Sequence, residues 1–230
     1  NDIITTTTNN NELLLQQQKQ QHIHIAGYYN IPGFWGNKLK DVLLELTSNT
    51  DTPKRIISLV PQHDATEEWD GQLMDLLPLI DFLFVNELEA KCIFYTHSNK
   101  EKNDTDDDEV LLKSIAQFFH TQSPKTCVVI TLGSKGAVAL CGGDIILKQN
   151  APRVTENPVD PTGAGDAFIA GFLYGYYYAT TNNTSSLERA LWFGCNLGTK
   201  CIQQMGASVP ISKEDIESMI NYNTTANNNR

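Results

Sequence analysis

From residue 22 onward the chain alternates short apolar runs with amphipathic stretches. His22-Ile23-His24-Ile25-Ala26-Gly27 alternates in the manner of a strand. Leu39, Val42, Leu43 and Leu46 recur at the three-and-four spacing of a helix across residues 36–46. A β-branched run at residues 55–60 follows, then helical spacing over residues 69–79, then the compact apolar strand Phe82-Leu83-Phe84-Val85. Residues 110–120 read as a helix, and residues 126–132 as a buried strand delivering the turn Gly133-Ser134-Lys135-Gly136. Residues 137–141 and 145–147 read as a hairpin closed by Gly142-Gly143-Asp144. Helices are expected over residues 163–179, 187–204 and 213–220. Strand, helix and strand in repetition predict an α/β fold, a largely parallel central sheet with helices on both faces and ligands at the carboxyl ends of its strands.

Composition bounds this picture. Residues 1–21 are almost entirely Asn, Thr and Gln, broken by Leu13-Leu14-Leu15, and are expected to be a disordered insert or linker. Residues 22–222 form one domain, and the Asn-rich tail 223–230 is expected to be disordered. Lys and Arg total 17 against 27 Asp and Glu, a formal charge of -10, which excludes a broad basic surface for nucleic acid or an anionic membrane. No run of about 18 apolar residues is present, so no membrane span is expected. The five cysteines are odd in number and lack C-x-x-C spacing, so they read as reduced core thiols in a cytoplasmic protein. His22 and His24 share one strand face, where a structural role outweighs metal ligation, and Asp106-Asp107-Asp108-Glu109 reads as a solvated helix start.

The chemistry concentrates in Val159-Asp160-Pro161-Thr162-Gly163-Ala164-Gly165-Asp166-Ala167-Phe168. Gly163 and Gly165 let successive backbone N–H groups converge at the start of a helix, whose first turn leaves donors unpaired and carries about half a positive charge. Such a point binds oxyanions. Asp166 beside it repels a phosphate but is placed to accept a proton from an attacking hydroxyl. Small residues at Gly163, Ala167, Gly171 and Gly175 stripe one helix face, with Phe168, Phe172 and Leu173 elsewhere, which predicts a helix buried nearly all round that holds Asp166 rigidly.

The string Asp-Pro-Thr-Gly-Ala-Gly-Asp-Ala-Phe, with Asn157-Pro158 before it and Ala170-Gly171-Phe172 after it, resembles the second signature of the ribokinase-like (PfkB-type) carbohydrate kinases. The resemblance implies a ribokinase-like fold that transfers the γ-phosphoryl of ATP to a hydroxyl of a sugar or sugar-like alcohol. Asp166 is then the base, and the backbone of Gly163, Ala164 and Gly165 stabilises the transferred group. Asn86-Glu87-Leu88-Glu89 resembles the family's N-x-x-E element, which implies that Glu89 acts on Mg2+ through water and Asn86 approaches the phosphates; helix capping by Asn86 is the competing reading. Thr131-Leu132-Gly133-Ser134-Lys135-Gly136 resembles the strand-to-loop segment lining the nucleotide site, so Thr131, Gly133, Ser134, Lys135 and Gly136 are candidate ATP contacts. Phe193-Gly194-Cys195-Asn196 and Gly206-Ala207 resemble the elements that close over the adenine, with Asn196 as the candidate contact. Members often bind a monovalent cation beside the cradle, which implies K+ at Asp160 and Thr162 with Gly206 and Ser208 as partners; a turn cap by Asp160 is the alternative.

The match begins near His22 and resembles the middle of a family member. The sugar-binding Asp, the Gly-Gly pair and the lid strands have no counterpart, and Val60 stands where the family often has Asp. The chain therefore reads as the nucleotide-binding and catalytic part of a longer protein, whose missing lid region is the expected surface of a homodimer. A nucleoside kinase of the same family shares every motif named here. A non-catalytic nucleotide-binding or regulatory protein is the rival from another class.

Overall fold

A computed structural model of the chain describes residues 21–48, 55–98, 100, 108–142, 145–154, 157–177, 186–207 and 212–219. Most of residues 1–21 and all of the tail 223–230, read from sequence as disordered, lie outside these, as does Ser208. Six strands form one sheet in chain order: β1 (His22–Ala26), β2 (Ile56–Val60), β3 (Phe82–Asn86), β4 (Cys127–Thr131), β5 (Ala137–Cys141) and β6 (Ile145–Gln149). The first three run parallel, with His24 opposite Ser58 and Ser58 opposite Phe82. The helices are α1 (Asn37–Ser48), α2 (Glu87–His97), α3 (Asp108–Gln122), α4 (Ala164–Tyr177), α5 (Ser186–Cys201) and a last helix over residues 213–219.

The chain divides into two compact units. The first comprises Asn1–Val128 with Cys141–Gly143, the second Val129–Leu140 with Asp144–Arg230. In the first, β2 and β3 are largely apolar on both faces, and Ile57, Leu59, Leu83, Ile93 and Phe94 are inaccessible to solvent or nearly so. His22 Nε2 and His24 Nδ1 each lie 2.7 Å from the buried Ser58 hydroxyl, a satisfied arrangement on one sheet face. Residues 69–79 depart from the continuous helix that their spacing predicts. They form two 3-10 turns, Leu73–Asp75 and Leu77–Leu79. Pro78 lacks the N–H a helix needs and disfavours α geometry at Leu77, while Trp69, Gly71 and Gln72 take left-handed backbone angles. The apolar spacing still does its work, since Leu73, Leu76, Leu77 and Ile80 are fully buried.

The reading of all five cysteines as reduced also changes. Neighbouring strands β4 and β5 bring Cys127 and Cys141 to a Cα separation of 4.6 Å, and the two form a disulfide; Cys92, Cys195 and Cys201 are free. A cross-strand pairing over 14 residues leaves no C-x-x-C signature.

In the second unit, α4 packs on α5 at close range. A Cβ at Gly171 would meet the Phe193 carbonyl oxygen at 2.6 Å, one at Gly175 the Arg189 carbonyl oxygen at 2.8 Å, and one at Gly194 the Phe168 ring at 2.8 Å. Small residues on both helices therefore set their separation, and Phe168, Phe172 and Phe193 fill the remaining space. Arg189 is buried and donates to the Gly175 carbonyl at 2.9 Å. Among the described residues no helix is long and apolar enough to cross a membrane.

Candidate active site

The second unit holds a cavity of about 580 Å³ at the carboxyl end of β4 and the start of α4. Thr131, Gly133, Ser134 and Gly136 line it from the turn after β4. That turn is tight: the Leu132 N–H donates to the Gly136 carbonyl at 2.8 Å and the Gly136 N–H to the Gly133 carbonyl at 3.0 Å. Gly136 has φ +99, and a Cβ there would meet the Gln149 carbonyl oxygen at 2.0 Å, so the backbone after β6 rests directly on this glycine.

Ala164 and Gly165 line the cavity from the first turn of α4. Gly163 turns the chain into that helix with φ +80, and a Cβ on it would stand 2.8 Å from Cα and Cβ of Ala207. The Ala164 N–H reaches the Pro161 carbonyl at 3.2 Å and the Ala167 N–H reaches Gly163 at 2.9 Å. Between them the N–H groups of Gly165 and Asp166 have no acceptor among the described residues, so two donors stand free at a positive helix end. Asp166 lies in this first turn. The prediction that α4 is buried nearly all round holds for Phe168, Ile169, Gly171, Phe172 and Gly175 but fails at Ala170 and at the helix start, where Gly165 and Asp166 are exposed. The backbone turn alone therefore positions the Asp166 carboxylate.

Asp160 ties this turn to the stretch after α5. One carboxylate oxygen accepts from the Thr162 N–H at 2.9 Å and the other from the Gly206 N–H at 2.9 Å. The Thr162 side chain and these N–H groups hold the carboxyl below the usual carboxylate range. Asp160, Thr162 and Gly206 are thus gathered at one point, and each carboxylate oxygen keeps lone pairs for a further partner.

Two candidates from the sequence lie off the cavity. Asn196 faces a different hollow with Trp192, Asn150 and Met219, and its amide donates to the Trp192 carbonyl at 2.8 Å. The α5 residues that do line the cavity are Cys195, Gly198 and Thr199, so the sequence reading was one helical step, about 100°, out of phase. Burial pushes the Cys195 thiol up to about 12, which makes it a neutral wall rather than a nucleophile. Lys135 is exposed on the outside of its turn, while Ser134 beside it faces the cavity. Sequence reasoning also missed Phe168, a flat apolar wall, and Arg153 in the irregular segment after β6.

Asn86 and Glu89 belong to the first unit, at the β3–α2 junction. They form a reciprocal capping box: the Glu89 N–H donates to Asn86 Oδ1 at 2.8 Å and the Asn86 N–H to Glu89 Oε2 at 2.9 Å. Glu89 is 7% exposed, and burial raises its carboxyl above the ordinary value against the opposing pull of the Asn86 N–H and His63. Helix capping accounts for both residues.

The pfkB family of carbohydrate kinases matches residues 1–214. The chain belongs to that family. Among its pfkB relatives, adenosine kinase 2 of Arabidopsis thaliana is 33% identical over 135 residues, 58% of this chain and 36% of that protein. Ribokinase of Staphylococcus aureus is 29% identical over 142 residues, 61% of this chain and 41% of that protein. The crystal structure of Anopheles gambiae adenosine kinase, 20% identical, shares the fold with a TM-score of 0.64 over 92% of this chain and 60% of that one. The chain thus spans about 40% of the length of these curated relatives.

Proposed function

We propose that the chain carries the nucleotide-binding and catalytic machinery of a pfkB-family kinase that transfers the γ-phosphoryl of ATP to a hydroxyl of a sugar or sugar-like alcohol. The carrying observation is the pair of unpaired N–H groups at Gly165 and Asp166, facing the same helix end as the cavity-lining Ala164 and Gly165. Donors fixed there before the reaction stabilise charge that develops on the transferred group without reorganising. Asp166 takes the acceptor proton: its carboxylate is exposed, has no hydrogen-bond partner among the described residues and stands one residue past the cradle.

Thr131, Ser134 and the glycine backbone hold the nucleotide, and the apolar walls at Phe168 and Cys195 suit its base. Bound Mg2+ supplies charge neutralisation between the phosphates. In the first unit, Glu89 would take Mg2+ through water with Oε1, and Asn86 fixes Glu89 through the capping box. The Asp160 carboxylate, held in place by the N–H groups of Thr162 and Gly206, would take a K+ with oxygens of these neighbours, and its charge would reinforce the cradle. A cytoplasmic location and a small-molecule acceptor go with this reading. A nucleoside acceptor is favoured by one observation, that adenosine kinases stand among the relatives and structures matched.

The deciding experiment assays the whole protein against pentoses, hexoses, inositols and nucleosides, then repeats the best acceptor with Asp166→Asn. General-base loss predicts a fall in kcat of at least about 100-fold with ATP affinity nearly unchanged. Near-normal turnover in the variant places the base elsewhere.

A further inference from the structure

Apart from bound cations, the donors described so far at the cavity are uncharged groups of the chain. The chain is acidic overall, with a formal charge of -10, and Asp160 and Asp166 stand at the same helix start. A triphosphate entering there meets repulsion that two backbone N–H groups offset only in part. Among the described residues that line the cavity, Arg153 is the one with a charged side chain.

Three arginines fall within the described residues, and two of them are committed. Arg55 donates to the Leu46 carbonyl at 2.6 Å and to the Gln21 side chain at 2.9 Å, and Arg189 donates to Gly175. Arg153 has no hydrogen bond or ion pair among the described residues, and it is exposed. The backbone leading to it is nevertheless held. The backbone at residues 149–151 lies against Gly136, so closely that a Cβ there would come within 2.6 Å of the Ala151 nitrogen. Pro152 stiffens the next step. A guanidinium without a partner among the described residues, two residues past a held backbone and in the wall of a cavity lined by no other charged side chain, is arranged for a ligand and not for the fold.

We infer that Arg153 is the side-chain cation that grips the phosphate chain of the nucleotide, and so sets the preference of the cavity for a polyphosphate over a nucleoside. A guanidinium offers parallel N–H donors that match two phosphate oxygens at once and keeps its charge at every physiological pH. Base recognition needs no charge, since Phe168 and Cys195 already supply apolar walls.

The inference rests on the nucleotide reading, and calorimetry with ATP and with adenosine separates the two. Arg153→Gln is expected to weaken ATP binding roughly 10- to 100-fold while leaving adenosine binding unchanged. The salt dependence of ATP binding should become shallower, and Arg153→Lys should recover part of the affinity as a point charge. ATP affinity unchanged in Arg153→Gln overturns the inference and leaves the nucleotide reading standing. Equal losses for ATP and adenosine also overturn it, because they make Arg153 a wall for the base. A parent protein that binds neither ligand sinks the nucleotide reading and the inference together.

Discussion

Gly163 and Gly165 flank the same cradle, yet the structure assigns them opposite physical roles, and alanine at each position separates folding from binding. At Gly163 the backbone has φ +80, where a side chain costs about 1–2 kcal/mol. The added methyl would also stand 2.8 Å from Cα and Cβ of Ala207, an overlap that costs about 1–3 kcal/mol to relieve. Gly163→Ala is therefore expected to lose roughly 2–5 kcal/mol of stability, a large part of the 5–15 kcal/mol typical of a domain. At Gly165 no heavy atom lies within 4 Å of an ideal Cβ and the backbone is not left-handed. Gly165→Ala should leave stability unchanged or raise it by up to about 1 kcal/mol, through reduced freedom of the unfolded chain. Its methyl nevertheless stands where the cavity meets the free N–H groups, so ATP affinity should fall roughly tenfold or more. Urea denaturation and ATP calorimetry on both variants test this. The reasoning fails if Gly163→Ala is as stable as the parent, or if Gly165→Ala binds ATP normally.

Two further outcomes concern the metal side and the turn. Glu89 has a raised folded pKa, so its protonated form favours folding below the unfolded value near about 4.3, and that contribution is lost as pH rises through the folded value. Glu89→Gln keeps an acceptor for the Asn86 N–H without the buried charge. It should be more stable than the parent at pH 7, by a margin that shrinks toward pH 4, while losing turnover; a variant less stable at pH 7 refutes the burial argument. At Asp160, potassium should raise turnover of the whole protein above that in a bulky organic cation at matched ionic strength, and equal rates would remove the cation from the account.

What the sequence made legible follows from how local each determinant is. Gly163 and the turn Gly133–Gly136 announce themselves, because a backbone that must turn left-handed or yield to a neighbour demands glycine at that position. The α/β order was legible for the same reason, since each strand and helix carries its own period. Asn196 was not, because choosing between it and Cys195 needs the rotational phase of α5 against the cavity, which tertiary packing at Gly171, Gly175 and Gly194 sets. The Cys127–Cys141 pair depends on strands meeting across a turn. Arg153 sits in an irregular segment with no period at all, and only the cavity around it gives it meaning.

The starts of α2 and α4 differ in how their backbone donors are satisfied. At α2 the chain caps its helix completely: Asn86 accepts the Glu89 N–H and Glu89 accepts the Asn86 N–H. Removing such a cap typically costs about 1 kcal/mol. At α4 the nearest carboxylate, Asp160, turns instead to Thr162 and Gly206, and Asp166 points no bond back at its own helix. The N–H groups of Gly165 and Asp166 stay open beside the cavity. A chain able to close one helix start with two residues leaves the other without that stabilisation, at the position where an anion would supply it. On the kinase reading proposed above, the uncapped turn is half of a binding interaction, with the phosphoryl group as its missing cap.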